Sequence, residues 1–179
     1  MSRIRGKNTT PEKVVRSLLH RMGYRFRLHV RIPIIQPQRR GDAERNVLKS
    51  RRGIQSSLSA STGERAGVRC RIPRVVSVDV LLPKYQTAIF VHGCFWHRHK
   101  GCKNCTTPTN RRAWWLAKLN GNAARDKRHQ RALRKLGWCS IVVWECQTEK
   151  INSLEKLGRR IENILKQRSD HSKATASSA

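Results

Sequence analysis

The sequence is organised around one stretch of eleven residues, His92-Gly93-Cys94-Phe95-Trp96-His97-Arg98-His99-Lys100-Gly101-Cys102. This stretch contains three histidines, two cysteines and two large aromatic residues. Cys94, His99 and Cys102 have the short spacing with which one loop supplies three tetrahedral zinc ligands. Thiolate and imidazole groups also suit zinc better than magnesium or calcium. The stretch therefore predicts a zinc site whose fourth ligand comes from elsewhere in the chain.

The composition indicates a basic, single-domain protein that binds nucleic acid. The 179 residues are 37% hydrophobic, which is enough for one ordinary core, and 39 Lys+Arg against 11 Asp+Glu give a formal net charge of +28. A protein with such a large positive charge binds polyanions. DNA or RNA is therefore the expected partner, and a membrane surface is the weaker alternative. The sequence has no apolar run of membrane-spanning length and no signal-peptide core after Met1. We therefore expect a soluble, cytoplasmic protein whose six cysteines favour metal binding over disulfides.

The N-terminal part predicts a helix and then a strand. The helix starts at Thr10-Pro11-Glu12, with Thr10 as its N-cap, and the strand runs from Tyr24 to Val30. Glu12 is either a surface acid that the helix dipole favours or a functional carboxylate. Residues 34–73 contain no aromatic side chain and are rich in serine. We expect a single domain over 1–167 with a disordered insertion at 34–73, followed by a disordered tail at 168–179.

The second and third strands, Val75 to Leu82 and Thr87 to His92, are predicted to form a hairpin. If Leu82 faces Thr87, period-two alternation places Asp79 and His92 on the same sheet face as diagonal neighbours. Asp79 is a lone carboxylate in an apolar run, where its charge is costly to bury unless a metal or hydrogen bonds hold it. We therefore expect Asp79 to be functional rather than structural.

A long helix, Pro108 to Leu136, joins the third strand to a fourth, Trp138 to Trp144. This crossover predicts that the third and fourth strands are parallel, with functional groups gathered at strand ends. Cys146 directly follows the fourth strand and is the preferred fourth zinc ligand, with Cys105 and Cys139 as alternatives. The apolar positions of the long helix are Trp114, Trp115, Leu119, Leu133 and Leu136. Those of a final helix are Leu154, Leu157, Ile161, Ile164 and Leu165.

This order of elements is that of a restriction-endonuclease-like core (αβββαβ, a mixed sheet flanked by helices), and four motifs narrow the resemblance. They are Ile89-Phe90-Val91-His92-Gly93-Cys94-Phe95-Trp96-His97, Ala123-Ala124-Arg125-Asp126-Lys127-Arg128, Leu136-Gly137-Trp138 and Val143-Trp144-Glu145-Cys146. These motifs closely resemble those of the very-short-patch-repair (Vsr) DNA mismatch endonucleases. The resemblance covers Met1 to about Cys146, apart from the predicted insertion.

The resemblance implies a magnesium-dependent endonuclease that nicks DNA on the 5′ side of the thymine in a T·G mismatch, which arises when 5-methylcytosine deaminates. The catalytic residues that it implies are Asp79, His97, Asp126, His92 and Glu12. Asp79 would hold the magnesium together with the backbone carbonyl of Val91. His97 would activate the water and Asp126 would orient His97. His92 would contact the water or phosphate shell, with Glu12 in support.

The resemblance also assigns the metal cluster and the aromatic residues. Zinc held by Cys94, His99, Cys102 and Cys146 would be structural, because four protein ligands leave no open position. Three aromatic residues would wedge into the DNA beside the mismatch, where unstacking costs less than at a matched pair. They are Phe95, Trp96 and Trp115. The alternative is that these side chains belong to the hydrophobic core.

The expected substrate is double-stranded DNA with a T·G mismatch; mismatch-repair proteins are candidate partners, and we expect a monomer. The segment Ser77-Val78-Asp79 lacks the glycine and proline that the family places before this aspartate. A catalytically impaired, zinc-stabilised DNA-binding module is therefore the alternative function. A basic RNA-binding protein would explain the charge but would leave Asp79, His97 and Asp126 without a role.

Overall fold

The computed structural model describes residues 7–34 and 74–176, and its helices and strands follow the predicted order. In chain order they are α1 (Thr10–Arg21), β1 (Arg27–Ile34), β2 (Arg74–Leu82), β3 (Thr87–His92), α2 (Arg112–Lys135), β4 (Cys139–Trp144) and α3 (Ile151–Ala176). Short 3-10 turns follow β2 and β4. The predicted insertion lies outside the described residues, apart from Ile34 at the end of β1. No helix within the described ranges combines the length and the apolar character needed to cross a membrane.

The four strands form one mixed sheet in the order β1-β2-β3-β4. Strands β2 and β3 are antiparallel and Leu82 pairs with Thr87, so the predicted register is confirmed. Strands β3 and β4 are parallel, as the crossover predicts, and His92 pairs with Trp144 at their shared end. The predicted α/β class with a mixed sheet flanked by helices is therefore confirmed.

One face of the sheet packs against α1 and α3 and forms the main core. The buried residues of this core are Val15, Leu18, Leu19, Val80, Leu82, Ile89, Ile141, Val143, Leu157, Ile161 and Leu165. The predicted apolar face of α3 is confirmed, with Leu154 and Ile164 partly buried at its edge. Gly158 faces α1, since a Cβ built there would lie 3.5 Å from the Leu18 side chain. Burial of each large side chain contributes about 1.5–3 kcal/mol to stability.

The opposite face carries Ala88, Phe90 and His92, because side chains alternate along β3. Helix α2 covers this face, and its Leu119 and Leu133 are buried. The predicted apolar stripe of α2 is wrong at two other positions, since Trp114 is 53% exposed and Leu136 is 44% exposed. The 24-residue helix is about 36 Å long, whereas the six-residue strands beneath it span about 20 Å. The ends of the helix therefore extend past the sheet.

Several predicted boundaries differ from those of the structure. Thr9, not Thr10, is the N-cap of α1, and its side chain makes no capping hydrogen bond because it donates to Glu12 instead. Strand β1 begins at Arg27 rather than Tyr24, whose ring packs on the core before pairing starts. Helix α3 continues to Ala176, beyond the predicted start of the tail at 168. No glycine or proline interrupts residues 159–176, so nothing in the sequence ends the helix earlier.

Candidate active site and metal-binding cluster

Asp79 lies on β2, and the register places its side chain on the sheet face that carries Phe90 and His92. The Val91 amide donates a hydrogen bond of 2.8 Å to the Asp79 carboxylate. The pKa of Asp79 lies above its ordinary value, and burial is the largest cause. The hydrogen bond from Val91 lowers this pKa, whereas the negative charge of Glu12 raises it. The charge of Asp79 is therefore more costly here than in water, and a bound cation would compensate it.

His97 and Asp126 form a close pair that joins the loop after β3 to helix α2. Nδ1 of His97 lies 2.5 Å from Oδ2 of Asp126, and both side chains are largely buried. Burial alone would raise the pKa of Asp126, but the hydrogen bond and the charge of His97 lower it below its ordinary value. Because Asp126 occupies Nδ1, Nε2 is the nitrogen of His97 that remains able to exchange a proton with a ligand.

His92 ends β3 and supports the His97 ring. The two imidazoles are stacked, with ring centres 3.9 Å apart and an angle of 8° between the planes. The edge of the Trp144 ring packs against His92 at 5.4 Å. Burial, and then the neighbouring His97, lower the pKa of His92 to about 4. His92 is therefore neutral at physiological pH, and a ligand atom from each of His92, His97 and Asp126 lies within 4.8 Å of the others.

Glu12 is buried rather than a solvent-exposed acid, with 4% of its surface accessible. One carboxylate oxygen accepts the hydroxyl of Thr9 at 3.0 Å, and the other accepts the Asn8 amide at 3.0 Å and the Arg16 guanidinium at 2.8 Å. Nε2 of His29 lies 3.1 Å from Arg16. Arginine can only donate, so His29 accepts this bond through Nε2. Glu12 is thus a fixed negative charge close enough to Asp79 to raise its pKa.

The four predicted zinc ligands come together at the ends of β3 and β4. Donor atoms of Cys94, His99, Cys102 and Cys146 all lie within 4.8 Å of one another. Nδ1 of His99 is 3.5 Å from the sulfur of Cys94 and 3.4 Å from that of Cys146. A tetrahedral site with zinc bonds of about 2.3 Å to sulfur and 2.0 Å to nitrogen has sulfur–nitrogen edges of about 3.5 Å. The donor atoms are therefore spaced as a zinc site requires.

The backbone of the loop and the burial of its thiols agree with this arrangement. The His99 amide donates to the Cys94 carbonyl at 3.0 Å, which folds the loop back on itself. Burial raises the pKa of Cys94 to about 12 and also raises that of Cys146, so thiolates there need a cation. Of the two alternative fourth ligands, Cys139 lies at the other end of β4 and Cys105 is not part of the four-residue cluster.

The predicted wedge residues Phe95, Trp96 and Trp115 form a surface group with Trp114, and we call these four residues the aromatic cluster. The Phe95 ring lies 5.1 Å from Trp96 and 5.5 Å from Trp115, and Trp114 lies 4.9 Å from Trp115. The Lys118 ammonium sits 4.6 Å from the centre of the Trp114 ring. Trp114 is exposed and the other three rings are half-buried, so none belongs to the main core. The cluster presents apolar surface beside a positive charge.

Some residues of the site escaped the sequence reasoning. Glu145 accepts the amide of Cys94 at 3.2 Å, and its position directly before Cys146 was a usable signal. Asn122 donates to the Trp96 carbonyl at 3.2 Å and ties the loop to α2. Arg16 and His29 surround Glu12 through tertiary contacts that no local pattern marks. The contact that the structure shows between Val91 and Asp79 is made by the Val91 amide, whereas the group predicted to hold the metal is the Val91 carbonyl.

Comparison with known proteins adds an independent finding. The family model described as DNA mismatch endonuclease Vsr matches residues 66–104, which include Asp79, His97 and three of the four predicted zinc ligands. The type II nicking enzyme V.XorIIP of Xanthomonas oryzae pv. oryzae is 36% identical over 92% of this chain and 88% of its own length. The type II nicking enzyme V.NmeAIP of Neisseria meningitidis is 28% identical over the same shares. The DNA mismatch endonuclease Vsr of Escherichia coli is 40% identical over 47% of this chain and 54% of its own length.

Proposed function

Because this chain belongs to the Vsr family of endonucleases, we propose that it nicks duplex DNA on the 5′ side of the thymine in a T·G mismatch. Magnesium is the proposed catalytic metal and zinc the structural one, on a restriction-endonuclease-like core. The observation that carries the proposal is the His97–Asp126 pair at 2.5 Å, close enough to Asp79 to influence its pKa. Together these residues supply an oriented base and a carboxylate suited to a hard cation.

His97 is the proposed general base. Asp126 accepts the Nδ1 proton of His97, which leaves Nε2 unprotonated and able to take a proton from the attacking water. As His97 becomes protonated, the negative charge of Asp126 stabilises the imidazolium. His92, stacked on His97 and held neutral by its burial, fixes the ring without adding a competing positive charge.

Asp79 and the Val91 carbonyl are the groups that would hold magnesium. Their chemistry fits, because a half-buried carboxylate next to the negative charge of Glu12 offers a hard oxygen ligand whose charge a dication balances. When bound, magnesium would stabilise the charge that develops on the phosphodiester. Arg16 keeps Glu12 in place through an ion pair of 2.8 Å, which also offsets part of the charge of Glu12.

Zinc would be held by Cys94, His99, Cys102 and Cys146, whose sulfur and nitrogen donors have tetrahedral spacing. Its proposed contribution is structural: it would fix the loop that carries His97 and two members of the aromatic cluster. The rings of that cluster would insert beside the mispair, where stacking is weakest. Exposed Trp114 and half-buried Trp96 and Trp115 support this use, since they offer apolar surface without being needed in the core.

The test is a nicking assay on two sets of duplexes that differ only in one base pair, T·G against C·G. The flanking bases are randomised, so that the preferred sequence context is found by sequencing the nicked strands. We expect nicks only in the thymine strand of mismatched duplexes and only with added magnesium. Omitting magnesium, rather than adding a chelator, leaves the zinc cluster intact as the matched control.

Asp79→Ala is the decisive variant for this proposal. It should abolish nicking and largely preserve DNA affinity, because affinity rests on many phosphate contacts whereas the chemistry needs this carboxylate. Undiminished nicking by this variant would mean that another acid holds the metal. Binding of mismatched duplexes by the wild-type chain without nicking in any flank would instead support the DNA-binding module as the function.

A further inference from the structure

A cleft of about 670 Å³ lies between the 92–102 loop and helix α2, and we call it the loop–helix cleft. His97 and Asp126 form part of its lining, so it adjoins the proposed catalytic base. Its lining also contains His92 and the predicted zinc ligands His99 and Cys102. The cationic and amide side chains in the lining are Arg98, Lys100, Asn120, Lys127 and Gln130. The side chains of Val142 and Trp144 add apolar surface. A space of this size and composition accepts a group as large as a nucleotide.

Arg98 carries a donor atom that lacks a partner in the described part of the chain. Its Nη1 is buried and has no hydrogen-bond partner among the described residues. Buried polar atoms are normally paired, and the Arg98 side chain as a whole is only half-buried, so a small rotation would present Nη1 to an acceptor in the cleft. The backbone of Arg98 has φ of +54°, a left-handed conformation that non-glycine residues seldom adopt. The hydrogen bonds of the folded loop on either side, from His97 to Gly93 and from His99 to Cys94, hold it there.

Helix α2 supplies the second wall of the cleft. Asn120, Ala123, Lys127 and Gln130 follow the i, i+3, i+7, i+10 spacing of one helical stripe. This stripe offers two amides and an ammonium group as donors, and the small side chain of Ala123 leaves room between them. The aromatic cluster uses other positions of the same helix, so α2 presents two separate surfaces.

The charge of the cleft is mainly positive. Arg98, Lys100 and Lys127 are cationic, and among the described residues none of them takes part in an ion pair. The carboxylate in the lining, Asp126, is already paired with His97. Cations that lack a local counter-charge beside a buried free donor are suited to an anion with several oxygen acceptors, and phosphate is that anion in a DNA-binding protein.

We propose that the loop–helix cleft is a phosphate-binding subsite in which Arg98 is the direct donor and Lys127 the second cation, and that it takes a phosphate of the bound DNA other than the one cleaved. The identity of the ligand as DNA rests on the proposed function. The chemistry is shared with a free phosphate or with the 5′-phosphate that a nick leaves, so the experiment separates these sources.

The experiment measures equilibrium binding of mismatched duplexes without added magnesium, so that no strand is cut. Each phosphate near the mismatch is replaced in turn by a neutral methylphosphonate. We expect one non-scissile position at which this replacement weakens wild-type binding roughly tenfold, because a charged hydrogen bond is lost. In Arg98→Gln the same replacement should have less than about a twofold effect, since the partner is already gone.

Two further variants control for indirect effects. We call the dependence of the methylphosphonate effect on a side chain its coupling to that phosphate. Lys127→Gln lies on α2, away from the loop that carries the predicted zinc ligands, and should reduce this coupling as Arg98→Gln does. A folding defect of the loop could then not explain both results. Arg159→Gln removes one charge from an exposed position of α3 and should keep the full wild-type sensitivity. Zinc content is measured for all variants and should be unchanged.

The outcomes separate this inference from the proposed function. Coupling of Arg98 to one phosphate supports the subsite even if the nicking assay finds no cleavage. If no phosphate position couples to Arg98, the subsite is refuted even if the enzyme nicks normally. Titration with inorganic phosphate and with nicked duplexes bearing a 5′-phosphate covers the other sources. Binding of either that depends on Arg98, without any coupling in the intact strand, would overturn the assignment to backbone phosphate.

Discussion

Replacing Asp126 with asparagine tests whether His97 acts as an oriented base. Asparagine has nearly the same shape, and the Asp126 side chain is 13% exposed, so the substituted group should stay against the imidazole. The amide can donate a hydrogen bond to Nδ1 of His97, which the carboxylate cannot do. That bond would favour the tautomer with the proton on Nε2. His97 would then be present in a form that cannot take a proton from water.

The expected fall in the nicking rate of Asp126→Asn follows from the loss of general base catalysis by His97. General base catalysis contributes about 10²–10⁴ to the rate, which equals about 2.7–5.5 kcal/mol of transition-state stabilisation. The contact at 2.5 Å is the one side-chain contact that orients the Nδ1 side of His97 in the described structure, so we expect a loss of kcat in this range. Affinity for DNA should not fall, because the substitution removes a negative charge from a chain of net charge +28.

The assay is single-turnover nicking with saturating enzyme, together with equilibrium binding of the same duplex. Asp170→Asn is the matched control, because it makes the same chemical change at an exposed position of α3. It should leave both quantities unchanged. If Asp126→Asn nicks within about threefold of the wild-type rate, Asp126 does not orient a base. If rate and affinity fall together, the substitution acts on binding and the reasoning also fails.

Three further predictions test other parts of the structure. Cys146→Ser should lower zinc content and the melting temperature, whereas Cys105→Ser should keep both; metal analysis and calorimetry that find the reverse would reassign the fourth ligand. Gly158→Ala should stabilise the fold by roughly 0.5–1 kcal/mol in urea titrations, since its methyl group would make an ordinary contact at 3.5 Å, and Gly158→Leu should destabilise it by about 1–3 kcal/mol. Trp96→Ala should reduce the preference for T·G over C·G in kcat/KM roughly tenfold, and an unchanged preference would exclude this ring as a wedge.

The features that the sequence predicted correctly depend on local patterns. The bounds of β3, Thr87–His92, follow from a short apolar run between a turn and the loop that carries the predicted zinc ligands. The pairing of Leu82 with Thr87 follows from the length of that turn, and it places Asp79 correctly. Cys146 could be associated with the distant loop because a parallel crossover brings the ends of β3 and β4 to one edge of the sheet.

The features that the sequence missed depend on tertiary contacts. The choice between a surface and a functional Glu12 could not be made, because its burial depends on Asn8 and Arg16 folding over it. Trp114 was grouped with core residues because helical periodicity does not reveal that its turn extends past the sheet. Likewise, nothing in the sequence separates Arg98 from the other arginines, since the burial of its Nη1 depends on the tertiary structure.

The proposed structural metal and the proposed base share one short loop, and this has a mechanistic consequence. His97 lies between the ligands Cys94 and His99, and its amide is bonded to Gly93 at 3.1 Å. Glu145 reinforces the loop from β4 by accepting the Cys94 amide beside Cys146. A metal that fixes these ligands therefore also fixes the position of the base relative to Asp126 on α2. A change in the cluster should thus lower kcat more than DNA affinity, even though four protein ligands leave the metal no open position for substrate.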